Sequence, residues 1–184
     1  MSLVELIAQA DERGLTAAGL ACLDRCVPLL GGDDEVLRPL WVSLVEDGEH
    51  WNERVAGVRE ELGSAATDDL GAGSDGGPAT DEATALARHM LATVPAERSA
   101  GALREWAGAC SLAALRIHRL LDGAVERAGG PPSPLVAAEL RRQTAVLELL
   151  AGHGAAGVRQ ALDVSTEGRR VLRAVVSRRT RTRA

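Results

Sequence analysis

Three residues of metal-binding type fall within eight positions of the sequence. Glu46, His50 and Glu53 are spaced i, i+4 and i+7, so a continuous helix would present all three on one side. Carboxylate and imidazole groups of this kind hold metals inside helical bundles. On a helix drawn from Leu37 to Leu62, however, they point away from the apolar stripe. A solvated polar face is therefore our first interpretation, a metal site is the alternative, and we expect no cofactor.

The C-terminal segment is a second candidate site, because it is rich in arginine and contains no acid after Glu167. Clustered guanidinium groups bind phosphates or acidic proteins. Cations also stabilise the C-terminal end of a helix, and the acidic part of the chain can neutralise them internally or across a dimer. The residues predicted to bind an anion or a partner are Arg169, Arg170, Arg173, Arg178, Arg179, Arg181 and Arg183.

His118 and Asp122 lie one helical turn apart, a spacing at which a carboxylate can orient an imidazole. The simpler interpretation is a boundary histidine whose hydrogen bonds are satisfied by its own helix. No nucleophile stands at a recognisable spacing from this pair. We find no catalytic motif and expect a protein without catalytic activity of its own.

Gly71, Gly73 and Gly76 match the spacing of a dinucleotide-binding loop. That loop works only between a strand and a helix N-terminus, and the surrounding sequence is acidic and glycine-rich. We interpret these glycines as part of a linker.

The composition excludes several functional classes. The 21 basic residues are all arginine, so chemistry that requires a lysine amine, such as Schiff-base formation or a P-loop, is ruled out. Without Phe or Tyr, an RNA-recognition sheet that stacks bases on aromatic rings is also ruled out. The three cysteines, Cys22, Cys26 and Cys110, suit structural roles as small core residues.

Apolar residues recur at spacings of three and four nearly throughout, which predicts an all-α protein. We expect a single bundle of six or seven helices with a long flexible loop. All three tryptophans fall on apolar stripes and are predicted to lie in the core. The predicted helices cover about 3–10, 16–30, 33–62, 80–95, 97–128 and 134–151, with a last helix after the break at 152–154. Thr16 and Ser133 are predicted to cap the second and the sixth of these helices. The fifth helix is expected to be apolar on more than one side and therefore central, and Val171 is an additional apolar position of the last helix.

Residues 1–184 are expected to form one helical domain that a flexible linker divides at about 63–80. The division separates an acidic helical half, 1–62, from a basic helical half, 81–184. Counted from the sequence, residues 1–82 contain 18 acids and 5 arginines, and residues 83–184 contain 8 acids and 16 arginines. The chain is therefore a charge dipole.

The sequence shows neither a secretion signal nor an apolar stretch of membrane-spanning length, so we expect a cytoplasmic protein with reduced thiols. The leading hypothesis is a non-catalytic protein–protein interaction or accessory protein, with homodimerisation as one form of interaction. Nucleic-acid or anion binding through the arginine-rich end is the first alternative, although the net charge of −5 disfavours it. A carboxylate–histidine metal-binding bundle is the second.

Overall fold

The computed structural model describes residues 1–46, 50–69, 77–122 and 131–181, with the backbone alone at 65–69. Every regular element in these ranges is helical, which confirms the predicted all-α bundle. None of the described helices is both long and apolar enough to span a membrane. The helices are α1 (Leu3–Gln9), α2 (Glu12–Cys26), α3 (Arg38–Val45), α4 (Trp51–Asp69), α5 (Pro78–Ala92), α6 (Ala100–Asp122), α7 (Pro134–His153) and α8 (Val158–Arg181).

Helix α2 is the centre of the bundle. Each residue from Gly14 to Cys26 is buried, and the helix packs against α6, α7 and α8. Its N-cap is Asp11, whose carboxylate accepts a hydrogen bond from the Gly14 amide at 2.7 Å. Thr16, predicted to cap this helix, lies inside it. A Cβ atom at Gly19 would stand 2.4 Å from the Trp106 ring, so glycine permits that close packing.

The predicted helix over 33–62 is wrong as a single rod, because it is two helices, α3 and α4. His50 immediately before α4 has φ of 58°, which interrupts the helical backbone. Arg54 of α4 donates to the Ser43 hydroxyl at 2.8 Å, so α4 packs against α3. The apolar stripe did not reveal the break, since both helices present that stripe to one core. Its described residues, all buried, are Leu37, Trp41, Leu44, Trp51, Val55, Val58 and Leu62.

The linker predicted at about 63–80 is too wide. Helix α4 continues to Asp69, and α5 begins at Pro78 after Gly77, whose φ of 71° suits glycine. The alanines and short polar residues at the start of the predicted linker therefore belong to the last turns of α4. Residues 70–76, which include the three glycines of the dinucleotide-like spacing, lie outside the described residues.

The acidic and basic parts of the sequence contribute to one hydrophobic core. All three tryptophans are buried, as predicted. Ser133 caps α7 by accepting from the Val136 amide, also as predicted. Helix α6 was expected to be apolar on more than one side, but Leu112 is 72% exposed, and α2 rather than α6 is the enclosed helix.

Candidate functional site

A buried ion pair joins α2 to α7. Arg25 donates from Nε and Nη2 to the two carboxylate oxygens of Glu139 at 2.8 and 2.7 Å, and both side chains are 0% exposed. Gln143 donates to Glu139 at 2.9 Å, and Ser111 of α6 donates to Gln143 at 2.6 Å. Burial opposes ionisation of Glu139, but Arg25 and His118 outweigh it and hold its pKa below the ordinary value. The cluster links three helices through charge-assisted hydrogen bonds.

His118 belongs to this cluster and not to the predicted pair with Asp122. Its Nδ1 lies 2.7 Å from the Ala114 carbonyl oxygen, and its Nε2 lies 3.5 Å from Glu139 Oε2. Burial lowers the pKa of His118, against the opposing influence of Glu139, so the ring is neutral near pH 7. With 1% exposure, His118 joins helices and is closed to solutes.

Helix α8 crosses this cluster at Gly168. A Cβ atom there would stand 2.3 Å from Arg25 Cδ and 3.0 Å from Arg142 Cδ. Real Cβ contacts are never that short, and Arg25 is fixed by Glu139. Glycine is therefore required where α8 passes over the Arg25 side chain.

Two of the predicted anion-binding arginines form ion pairs within the molecule, one buried and one at the surface. Arg169, 4% exposed, pairs with Asp24 of α2 at 2.5 Å. Arg173 donates from Nη1 to Asp34 at 2.8 Å and makes a second contact with it through Nη2. Burial raises the pKa of Asp24 to about 6 despite the opposing charge of Arg169. These contacts fasten α8 to α2 and to the turn before α3.

The remaining arginines of the predicted set lie on the outer surface or at the end of α8. Arg170, Arg178 and Arg181 are exposed, whereas Arg179 is half-buried and donates to the Leu121 carbonyl at 2.8 Å. Because that carbonyl is at the C-terminal end of α6, Arg179 caps a helix end. Arg183 lies outside the described residues.

A groove runs between α7 and α8 at the end of the bundle where α6 finishes. Its volume is about 680 Å³. Half-buried aliphatic side chains form both walls, and Asp122, Arg178 and Arg179 lie at the α6 end. We call it the α7–α8 groove; its described lining is Leu121, Asp122, Pro134, Leu135, Ala138, Val171, Val175, Arg178 and Arg179.

The three predicted metal ligands are not brought together. Glu46 accepts a hydrogen bond from Arg54 at 2.7 Å, while His50 Nδ1 lies 3.1 Å from Glu53 on the surface. The break between α3 and α4 removes the continuous helix on which their common face depended. Within the described ranges, no group of three His, Cys, Asp or Glu side chains is placed to hold a metal ion.

A second surface depression, of about 890 Å³, lies where α2 and α4 begin. Its walls carry side chains of both signs, among them Glu12, Glu97 and Arg98. Arg98 lies over the Trp51 ring with its central carbon 5.8 Å from the ring centroid. Trp51 itself is 4% exposed and donates to the Pro95 carbonyl at 2.8 Å. The depression therefore has charges of both signs in its lining, and the Trp51 ring is almost entirely covered.

The three thiols are buried and unpaired with one another. Burial raises the pKa of Cys22 to about 12, and it raises the pKa of Cys26 and Cys110 well above the ordinary value. A protonated, enclosed thiol is a weak nucleophile, which fits the structural roles predicted for these residues.

Three residues of the buried cluster that α8 crosses were not found from the sequence. Arg25, Glu139 and Gly168 were missed, although a signal for Arg25 was present. Asp24 and Arg25 are the only charged residues between 14 and 30. Comparison of the chain with protein-family models, curated proteins and solved structures finds no match.

Proposed function

We propose that this protein is a non-catalytic interaction protein that binds a partner protein through the α7–α8 groove. The observation that carries the proposal is the groove itself, in which aliphatic walls from two helices meet cationic side chains at one end. Protein interfaces combine a buried apolar centre with a polar rim in this way. The described titratable groups of the groove are one carboxylate and two guanidiniums, which suit recognition by ion pairing.

The other polar groups of the bundle support a division of roles. The Arg25–Glu139 cluster and the pairs made by Arg169 and Arg173 hold helices together and face inward or along the helix contacts. The α7–α8 groove opens at the surface, and α8 forms one of its walls. A firmly fastened α8 gives the groove a preformed shape, which lowers the entropic cost of binding.

A photo-crosslinking amino acid placed at Ala138, on the α7 wall, tests this proposal in cells of the source organism. We expect one discrete protein adduct from that position and none from the same amino acid at Arg170, which is exposed on α8 outside the groove. Val175→Asp should abolish the adduct by placing a charge in the apolar wall.

Circular dichroism of the Val175→Asp protein checks that the helices persist, and Val171→Ser provides a milder change of the same wall. Equal adducts from both crosslinker positions, or adducts that neither wall variant reduces, would contradict the proposal.

A further inference from the structure

We infer that the segment bound by the α7–α8 groove is a protein segment with aliphatic side chains and a cluster of carboxylates at one end. The inference names the chemistry of the partner and rests on the proposed function. It follows from the walls of the groove, from the charge at its α6 end, and from the internal pairing of the neighbouring arginines.

The walls select aliphatic side chains. Val171 and Val175 lie one turn apart on α8, and Leu135 and Ala138 lie nearly one turn apart on α7; all four are half-buried. Because the side chains on both walls are about one helical turn apart, they match a partner whose apolar side chains have about the same spacing. Removing such groups from water is favourable in proportion to the area covered.

The α6 end of the groove selects carboxylates. Arg178 and Arg179 stand there with Asp122, so the described charges of the lining sum to one net positive charge. Arg178 donates from Nε to the Ala174 carbonyl oxygen at 3.3 Å, and Arg179 donates to the Leu121 carbonyl oxygen. Arg181 adds an exposed guanidinium one turn after Arg178. Guanidinium groups bind carboxylates with two parallel hydrogen bonds, whereas a basic segment would be repelled.

The pairing of Arg169 and Arg173 favours a protein segment over nucleic acid. A phosphate backbone requires a row of available cations, but these two arginines are bound to Asp24 and Asp34. Single-stranded nucleic acid is bound by stacking bases on aromatic rings, and the described lining of the groove is aliphatic. The groove therefore suits a chain that offers apolar and acidic groups together.

Fluorescence anisotropy with the full chain and model peptides tests this inference. Two labelled peptides of about 14 residues carry leucines at helical spacing and differ only in having Glu or Lys at the polar positions. We expect the Glu peptide to bind and the Lys peptide not to bind. Arg178→Glu and Val175→Asp should each weaken binding of the Glu peptide about tenfold or more.

Arg170→Glu is the matched control, because Arg170 is exposed on the same helix outside the groove and should change binding less than about twofold. Arg178→Glu should also gain affinity for the Lys peptide, a result that misfolding would not produce. Circular dichroism verifies that each variant is folded.

Failure of the Glu peptide to bind, equal binding of the Lys peptide, or its displacement by a labelled DNA oligonucleotide would overturn the inference. If crosslinking from Ala138 still yields a groove-dependent adduct, the proposed function stands and only the partner chemistry is wrong. If neither experiment gives a groove-dependent signal, the proposed function and the inferred partner chemistry are both wrong.

Discussion

In the middle of α8, Arg169 and Arg173 form ion pairs with Asp24 and Asp34, whereas Arg178 and Arg181 lie near the end of the helix, beside the α7–α8 groove. All four are arginines on one helix, and the sequence gives no reason to separate them. Their environments separate them, because the middle of α8 crosses α2 and its end flanks a groove. Arg169 and Arg173 therefore contact other parts of the bundle, whereas under the proposed function Arg178 and Arg181 contact a partner.

The largest expected effect is in the buried cluster beneath the middle of α8. Glu139→Ala leaves the fully buried Arg25 without its carboxylate, and we expect the free energy of unfolding to fall by about 3–5 kcal/mol. Urea denaturation followed by circular dichroism measures this change. The double variant Arg25→Met, Glu139→Leu should recover most of the loss. If Glu139→Ala lowered the free energy of unfolding by less than about 1 kcal/mol, the buried pair would contribute no more than an exposed ion pair does.

Gly168→Ala should destabilise the protein by about 1–3 kcal/mol, because the new Cβ overlaps Arg25 Cδ. Gly108→Ala is the matched control in the interior of α6, where a Cβ meets no atom within 4 Å. That change should stabilise by up to about 1 kcal/mol, since alanine favours the helix. Thermal unfolding compares the two variants, and equal shifts would show that α8 does not cross Arg25 as closely as described.

Asp24 makes stability dependent on pH. Its pKa is raised to about 6, so at pH 5 the folded protein holds a proton that the unfolded chain has released. Its contribution to stability is thus lost as pH rises through 6. The stability of the wild type relative to Asp24→Asn should fall by about 1 kcal/mol between pH 5 and 7.5.

Urea denaturation at several pH values measures this difference. The subtraction removes the contribution of His118, whose lowered pKa makes stability change with pH in the opposite direction. A relative stability that rises over this interval would mean that Arg169 outweighs the burial of Asp24.

The smallest effect is expected at the exposed edge of the fastened region. Arg173 and Asp34 are each more than 40% exposed, so their pairing energy should be at most about 1 kcal/mol. A double-mutant cycle of Arg173→Ala and Asp34→Ala measures it, and raising the salt concentration should reduce it further. A coupling above about 2 kcal/mol would place this pair with the buried cluster instead.

Periodicity predicted the helices well because each buries one face in the same core. It identified the buried tryptophans and the caps and breaks marked by Ser133 and Gly154. It failed between α3 and α4, since two helices that face one core preserve the stripe across a break. The site was harder to predict, because ion pairs such as Arg25–Glu139 join residues 114 positions apart, and helical spacing carries no information at that distance.

The contacts around the α7–α8 groove could not be predicted from helical spacing either. In the sequence, Val171 is recognisable as an apolar position and the arginines of α8 as a basic cluster. Which of these arginines form contacts within the molecule depends on Asp24, Asp34 and Leu121. These partners come from three other parts of the chain. Only the folded structure shows which arginines contact these three residues.

The central position of α2 has a consequence for biosynthesis. This helix is translated before the helices that enclose it, α6, α7 and α8, and Asp24 precedes its partner Arg169 by 145 residues. Contacts over such separations slow folding and prolong the exposure of apolar surface. The nascent chain therefore carries an incompletely covered α2 until α8 has been translated, and only then can the native core close.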